Sequence, residues 1–240
     1  MRQILLAGVA LVAVATAATA APTLVNGDFE QSTYTSNNQF GTVYGGQGVT
    51  GWTGNGGYNI YFIAGTSTTT NANTQFTGST KEYLYGPANL TSPTGGNFVA
   101  LDGDSEARGA ISQTVTGLTV GNQYQIGFDF GAGQVRSRVG PTTEQLVVSL
   151  GTESFSTPVI DNPSESFTGW FHQSFTYTAT ATSELLNFLS IGTPDGLPPI
   201  ATLDGVTITD VTSSPAPEPV SIALLGMGLV GLGALRRRIK

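Results

Sequence analysis

The sequence predicts an all-β protein built as a sandwich, and three observations lead to this prediction. Between Tyr124 and Phe130 every second side chain is aromatic or aliphatic, and residues 146–150 repeat this alternation, which is the period of a half-buried strand. No long run in the central part of the chain has the apolar stripe of an amphipathic helix. Gly, Asn and Thr separate the apolar runs at intervals typical of the turns of a sandwich.

The first residues have the features of a secretory signal peptide. Arg2 is the only early charge, and an uncharged apolar stretch follows over residues 4–15. Ala18-Thr19-Ala20 then supplies small residues at the positions that signal peptidase requires. We therefore expect residues 1–20 to be removed on export and the body to begin at Ala21.

The expected body, residues 21–211, has the size and composition of one exported domain. The chain has no cysteine, so no disulfide supports the fold, and a body of this length can bury a sufficient apolar core without one. Residues 21–217 include 4 Lys or Arg and 15 Asp or Glu side chains, which leaves a net charge of −11. Such a surface repels nucleic acid and anionic lipid and is better suited to divalent cations and neutral glycans.

The same periodicity places further strands along the body. They are expected at residues 58–63, 170–178, 185–191 and 206–208. The run 185–191 is apolar on both faces, which predicts a central strand covered on each side. Segments 31–57 and 66–80 are rich in Gly, Asn, Ser and Thr and are expected to be long loops at one end of the sandwich.

The end of the chain has three features in a fixed order. A Pro-rich linker, residues 212–219, contains Pro217-Glu218-Pro219, and an uncharged apolar run follows over residues 220–235. We expect this run to be a transmembrane helix, because every backbone polar group inside a bilayer must be bonded internally. A basic cluster comes next within residues 236–240, which places that end in the cytoplasm; it contains Arg236, Arg237 and Arg238.

These C-terminal features resemble the PEP-CTERM sorting signal of Gram-negative bacteria. The resemblance implies recognition by an exosortase-type sorting protease, cleavage near Pro217-Glu218-Pro219, and export linked to extracellular polysaccharide and biofilm. It also implies an inner-membrane anchor, at least a transient one, before the protein reaches the periplasm, the cell surface or the extracellular matrix. A plain membrane anchor that is never processed is the alternative interpretation of the same residues.

A second resemblance covers residues 24–211. Its landmarks are Asn-Gly-Asp-Phe-Glu at 26–30, Gly-Trp at 51–52, Val-Ala-Leu-Asp-Gly at 99–103, Ile-Ser-Gln-Thr-Val at 111–115, Gly-Asn-Gln-Tyr at 121–124 and Ala-Thr-Leu-Asp-Gly-Val at 201–206. In this order they resemble the galactose-binding-like jelly roll, which is shared by many carbohydrate-binding modules and by plant cell-wall domains of unknown function. The resemblance implies a jelly-roll β-sandwich of two antiparallel sheets, often with a structural calcium near the chain ends.

The residues themselves contribute to a calcium hypothesis. Asp204 is in phase with Val206 and Ile208, so alternation points it toward the core side, where a carboxylate needs a partner. Ca²⁺ takes six to eight oxygen ligands. The resemblance implies Glu30 and Asp204 as ligands, with Asp28 as a third. Alternatively, Asp204 accepts backbone N–H bonds at a turn.

The acidic run Asp-Gly-Asp-Ser-Glu at 102–106 has the opening of an EF-hand loop but not its remainder. Ala107 stands where the loop needs Gly, and Gln113 stands where it needs a bidentate Glu. We interpret the run as an acidic turn between strands.

Few enzymatic arrangements are compatible with this composition. His172 is the only histidine, which excludes metallohydrolases that need two or three, and no Gly-x-Ser-x-Gly motif is present. A glycoside hydrolase with two carboxylates remains open. We expect a non-catalytic protein.

Several aromatic residues lie in or beside the long loops and could stack on sugar faces, namely Tyr58, Tyr61, Tyr83 and Tyr85. Trp52 and Trp170 are instead expected to be packed in the core. The main hypothesis is a PEP-CTERM-sorted surface or matrix protein associated with exopolysaccharide, whose partners are the sorting protease, the polysaccharide and the cytoplasmic membrane. The alternatives are a specific carbohydrate-binding module and, third, a glycoside hydrolase.

Overall fold

The computed structural model describes residues 21–40, 48–66, 83–87, 90–136 and 138–212, which form two antiparallel β-sheets. The predicted all-β sandwich is confirmed, and no helix occurs within these ranges. In this part of the chain, therefore, nothing helical has the length and apolar character needed to cross a membrane. The predicted signal peptide, membrane span and basic tail lie outside the described residues, as do residues 213–219 of the predicted linker.

In order along the chain, the strands are β1 Asn38–Gln39, β2 Thr53–Asn55, β3 Ile60–Phe62, β4 Phe98–Asp102, β5 Ala110–Thr116, β6 Gln123–Gln134, β7 Thr142–Leu150, β8 Glu153–Ser156, β9 Ile160–Asn162, β10 Phe171–Thr178, β11 Ser183–Thr193 and β12 Pro199–Asp210. The connections between the strands differ in length, and the one from β3 to β4 comprises residues 63–97. Sheet I has the order β1-β3-β4-β12-β6-β10. Sheet II has the order β2-β5-β11-β7-β8, and β9 also pairs with β7. Strands β1 and β2 lie within the segment 31–57 that the sequence predicted to be loop.

The main core lies between the two sheets and is filled by alternate residues of the long strands. The ring of Phe128 in β6 lies 5.2 Å from that of Phe188 in β11 across this layer, and both residues are fully buried, as is Tyr124. Trp52 belongs to the same core, as predicted, and its indole Nε1 donates to the carbonyl of Asn26 at 2.9 Å. The alternation in the sequence therefore reflects real burial on one face of each strand.

Strand β11 is central in sheet II, but the prediction that it is covered on both faces is wrong. Leu186 and Phe188 are fully buried toward the core. On the opposite face Leu185 is 50% exposed, and Leu189 and Ile191 are only half-buried. A strand that is apolar on both faces thus need not be covered on both.

Sheet I carries a second apolar layer on the face directed away from sheet II. This outer cluster consists of Ile60, Phe62, Leu84, Leu90, Phe98, Ala100, Val135 and Ile200, with Tyr58, Phe167 and Trp170 packed against it. Trp170 therefore packs outside the sandwich rather than between the sheets, and its Nε1 donates to the carbonyl of Thr91 at 3.0 Å. The close approach of the chain at this face requires glycine at position 131, because a Cβ at Gly131 would come within 2.2 Å of the Gly169 carbonyl oxygen.

A β-bulge in β12 decides which face Asp204 occupies. The pairing of β12 with β6 shifts between Asp204 and Thr207, and Gly205 adopts a φ of 60°, a conformation that suits glycine. Leu203 and Val206 consequently both reach the main core. Asp204 is fully buried, but it lies on the outer face of sheet I, in phase with Ile200, so the prediction from strict alternation is wrong.

Glu144 is a buried carboxyl group in the inner face of sheet II. Its Oε1 accepts a hydrogen bond from the Thr142 hydroxyl at 2.5 Å, and its Oε2 is buried without a hydrogen-bond partner. Burial raises the pKa of Glu144 to about 8, the Thr142 hydroxyl lowers it, and the negative charge of Asp161 raises it. The folded protein therefore holds a proton that an unfolded chain releases near pH 4.5.

We predict that Glu144 makes the folded protein less stable as pH rises. Because the pKa of this group is higher in the folded state, its contribution falls progressively from about pH 4.5 to about pH 8, by up to about 1.4 kcal/mol per pH unit. Glu144→Gln should remove this slope. The melting temperature of the variant minus that of the wild type should therefore increase as pH rises from about 6.5 to about 8. Thermal melts across this range measure it. Exposed Glu106→Gln is the matched control, and equal slopes in wild type and Glu144→Gln would contradict the assignment.

Candidate functional site

A pocket of about 260 Å³ lies at the end of sheet I where three connections meet. The connections are the β4–β5 loop, the segment after β6 and the β11–β12 turn, and Tyr58, just before β3, adds an aromatic ring. Ala107, Val135 and Pro198 give the walls an apolar character. The charged residues that line it are Asp102, Asp104 and Arg138.

Asp102, the last residue of β4, is 1% exposed and has one carboxylate oxygen to spare. Its Oδ1 accepts the backbone N–H of Asp104 at 2.9 Å, whereas its Oδ2 accepts no hydrogen bond from the described residues. Burial raises the pKa of Asp102 to about 6. The Asp104 N–H and the Arg138 guanidinium lower this pKa, and the negative charges of Asp104 and Asp195 raise it.

Asp104, by contrast, has both carboxylate oxygens engaged. Oδ1 accepts the backbone N–H of Glu106 at 3.0 Å, and Oδ2 accepts that of Gly196 at 2.5 Å. Asp195 likewise accepts the N–H and the hydroxyl of Ser105, which lowers its pKa. The run 102–106 is therefore an acidic turn, as predicted. The Asp104 carboxylate and the Asp195 carboxylate join it to the β11–β12 turn.

Tyr58 and Arg138 complete the lining of the pocket, one with an aromatic ring and the other with a positive charge. The backbone N–H of Tyr58 donates to the carbonyl of Ala107 at 2.6 Å, which positions its half-buried ring against the β4–β5 loop. Arg138 is exposed, and its positive charge favours the ionised form of Asp102. The site thus combines a ring, apolar walls, a carboxylate acceptor and a guanidinium donor.

Of the four tyrosines predicted to bind sugar, Tyr58 alone lines this pocket. Tyr61 is fully buried in the main core, its hydroxyl donates to the carbonyl of Phe29 at 2.8 Å, and its ring stacks on Tyr34 at 4.8 Å. The prediction that Tyr61 contacts ligand is therefore wrong, because β3 is covered on both faces and its inward residue is sealed from solvent.

Tyr83 and Tyr85 flank Leu84, which forms a bridge with Val135 beside the end of β6. The Tyr85 hydroxyl donates to Glu165 Oε1 at 3.0 Å, and the Arg136 guanidinium lies 5.4 Å from the centre of its ring. Tyr83 is half-buried, and its carbonyl accepts the backbone N–H of Arg136 at 2.8 Å. These two tyrosines border the outer cluster rather than the pocket.

The predicted calcium ligands come together only in part. The Thr94 hydroxyl donates to Asp204 Oδ2, while Asp204 Oδ1 is buried without a hydrogen-bond partner. Burial raises the pKa of Asp204 to about 6, whereas the Ser92 and Thr94 hydroxyls and the backbone N–H of Gly205 lower it. The charge of Glu30 raises it, so these two acids lie within electrostatic range. Asp28 is exposed.

Glu30 holds the same short segment that Thr94 belongs to. Its Oε1 accepts the backbone N–H of Asn97 at 2.5 Å, and its Oε2 accepts the side-chain amide of Asn97 at 2.9 Å. Among the residues that the structure describes, no three His, Asp or Glu side chains form a cluster able to hold a metal. The observation that fits a cation is the unpartnered oxygen of Asp204.

His172 forms a cross-strand pair on the outer face of sheet I. Its Nδ1 lies 3.0 Å from Asp129 Oδ1, and 66% of its side-chain surface is exposed.

Sequence reasoning did not anticipate this pair or the pocket role of Asp102, Val135 and Arg138. No local signal could reveal the pocket, since its residues come from separate connections that meet only in the folded sheet.

One family model matches residues 22–208, and it is described as a protein of unknown function, DUF642. The chain belongs to the DUF642 family. No curated protein matches this DUF642 chain at a significant level.

Several solved structures are similar to the DUF642 domain at low sequence identity. The CBM22-1–CBM22-2 tandem domain of Xyn10C from Paenibacillus barcinonensis is 16% identical over 85% of this chain and 49% of that one, with a TM-score of 0.39. A CBM4 structure is 14% identical over 78% of this chain and 99% of that one, with a TM-score of 0.34. The C-terminal domain of EclA, a sugar-binding protein, is 13% identical over 41% of this chain, with a TM-score of 0.31. The DUF642 chain spans 64% of the EclA domain's length.

Proposed function

We propose that this DUF642 domain binds carbohydrate in the pocket beside Tyr58. The observation that carries the proposal is Asp102, a carboxylate that is 1% exposed and whose second oxygen accepts no hydrogen bond from the described residues. A concave apolar site with a few convergent polar groups and a perturbed carboxyl pKa is a favourable place for a small polar ligand.

A sugar ring offers the two chemistries that this pocket accepts. Its C–H face packs against an aromatic or aliphatic wall, here Tyr58, Val135 and Pro198. Its hydroxyls donate to a carboxylate, and charge-assisted bonds of this kind are about twice as strong as neutral ones. The volume of about 260 Å³ suits one or two sugar rings rather than a long chain.

Binding without hydrolysis is the function that the carboxylates favour. A glycoside hydrolase of the usual kind needs two carboxyl groups free to act on the same bond. Asp104, the second carboxylate of the pocket, has both oxygens occupied by backbone N–H groups. Weak affinity per site is expected, and many copies in a matrix would compensate for it through avidity.

We predict that Tyr58→Ala weakens polysaccharide binding by at least about tenfold, which is about 1.4 kcal/mol, while the protein stays folded. Affinity electrophoresis or calorimetry of the purified full-length protein with a panel of polysaccharides measures this. Tyr83→Ala and Tyr85→Ala are the matched controls and should retain binding. If these two lose binding and Tyr58→Ala does not, the pocket is not the site. Robust glycan turnover by the wild type would overturn the non-catalytic assignment.

The proposal also includes export and sorting of the protein. It is supported by the signal-peptide features of residues 1–20 and by the order of Pro217-Glu218-Pro219, the apolar run 220–235 and the basic cluster. The domain would then act outside the cytoplasmic membrane, at the cell surface or in a polysaccharide matrix, after handling by an exosortase-type protease.

We predict that cells with such a sorting protease release a form that lacks the C-terminal tail. Mass spectrometry of the secreted protein should find an end near Pro217-Glu218-Pro219, and a triple alanine substitution of this motif should leave the tail attached. If all of the secreted wild-type protein is full-length and still carries Arg236–Lys240, the prediction of processing is wrong.

A structural Ca²⁺ held by Asp204 and Glu30 is the third part of the proposal. Support comes from the buried oxygen of Asp204 that lacks a partner, because carboxylate oxygens are the ligands that Ca²⁺ prefers. The exposed Asp28 would be a minor ligand at most. When bound, the ion would neutralise the buried charge and fix the segment that contains Thr94 and Asn97.

We predict that chelation lowers the melting temperature of the full-length protein. A ligand that binds only the folded state stabilises it by about 2.7 kcal/mol at a hundredfold excess over Kd. Glu30→Gln should abolish the response to chelator, and Asp204→Asn should do the same if it folds. Glu106→Gln, which removes an exposed acid elsewhere, is the control that keeps the response. An unchanged melting curve on chelation of the wild type rules out an occupied site.

A further inference from the structure

The charges around the pocket are arranged unevenly between its interior and its rim. Asp102 is 1% exposed, whereas Arg138 is exposed at the rim. Both oxygens of Asp104 are occupied by backbone N–H groups, so the only anionic oxygen left open among the described lining residues is that of Asp102. The interior of the pocket therefore presents a negative group beside an aromatic ring.

We propose that this pocket selects an amino sugar whose protonated amine pairs with Asp102 and lies against Tyr58. The inference rests on the proposed carbohydrate-binding function and names the class of sugar. The ligand class is a hexosamine with a free amine, either alone or at the end of a deacetylated polysaccharide.

An ammonium group satisfies the buried carboxylate better than a hydroxyl does. A buried charge is costly unless it is paired and hydrogen-bonded, and an ammonium brings both an opposite charge and three donors. A cation close to the face of an aromatic ring gains further stabilisation. Asp102 and Tyr58 both line the same pocket, so one amine could use both.

The buried charge of Asp102 disfavours the other common classes of sugar, whereas the exposed Arg138 at the rim acts in the opposite direction and favours an anionic sugar. A uronate or a sulfated sugar would bring a second negative charge to Asp102, and the acidic domain would repel it before contact. An N-acetylated sugar has a neutral amide in place of the amine and cannot compensate the carboxylate. The net charge of −11 over residues 21–217 instead attracts cationic glycans toward the protein.

The pH dependence should follow the ionisation of Asp102. Burial raises the pKa of this carboxyl to about 6, and the charged groups that face it are Asp104, Asp195 and Arg138. Affinity for the amine should therefore rise as pH increases through about 6, because the ionised form of Asp102 is the form that pairs.

The test compares glucosamine oligomers with N-acetylglucosamine and glucose oligomers of equal length, using calorimetry on the purified full-length protein. We expect the glucosamine oligomer to bind at least about tenfold tighter than either neutral oligomer. Asp102→Asn should remove this preference and leave the weaker neutral binding in place. Tyr58→Ala should weaken binding of all three.

Glu106→Gln is the matched control, because it removes one exposed acid from the same loop without touching the pocket lining. If Glu106→Gln and Asp102→Asn weaken binding of the glucosamine oligomer equally, the attraction is non-specific and the proposal is overturned. Equal binding of amine and acetamide oligomers by the wild type overturns it too, even if Asp102→Asn does not fold. In that case binding that still depends on Tyr58 leaves the carbohydrate proposal standing. If none of the three oligomers binds, the amino-sugar proposal is overturned, and the carbohydrate proposal is decided by the panel of polysaccharides.

Discussion

The structure depends on the burial of sheet I from both sides. The main core covers its inner face, and the outer cluster covers the other face around β3, β4 and the start of β12. A strand in this position has no solvent-facing side, so a polar residue within it loses water whichever way it points. Asp102 and Asp204 are carboxylates buried in such strands, at 1% and 0% exposure, on the face that the outer cluster covers. Both candidate sites arise from this single constraint.

The buried acids differ in how far the protein itself satisfies them. Asp104 is fully engaged by the N–H groups of its own loop and of the β11–β12 turn, so its role is to shape the pocket. Asp204 and Glu144 each keep one oxygen that is buried without a hydrogen-bond partner among the described residues. Unsatisfied buried groups reduce stability, which gives a physical reason to look for a ligand, an ion or a proton at each.

Much of the fold was predictable because alternation is a direct consequence of one-sided burial. Strands β6, β7 and β10 have this pattern, and the sequence located all three. Alternation is misleading where a strand is irregular or is buried on both faces. Gly205 inserts a bulge that reverses the expected face of Asp204, and β3 is covered on both faces, so nothing in its sequence separates buried Tyr61 from its neighbours.

The pocket was the least predictable feature, since it has no local signature. Tyr58 was predicted to lie beside a long loop and stack on a sugar, and the acidic turn at 102–106 was recognised, but neither pattern indicates that they share a cavity. Val135 and Arg138 join them only because β6 runs antiparallel to β12 in sheet I. Proximity of this kind is a property of topology and not of any short segment.

Strand β12 connects the two ends of the domain in a way that has a mechanical consequence. It begins at Pro199, next to the pocket residue Pro198, and ends at Asp210, close to the Pro-rich segment 212–219 of the sequence. Its 12 residues extend about 40 Å at about 3.3 Å per residue. β12 is hydrogen-bonded to β4 on one edge and to β6 on the other. If the proposed glycan binding and C-terminal anchoring both hold, a pull between the pocket and the C-terminal residues would run along β12. Such a pull would load these hydrogen bonds together in shear, rather than breaking them one at a time.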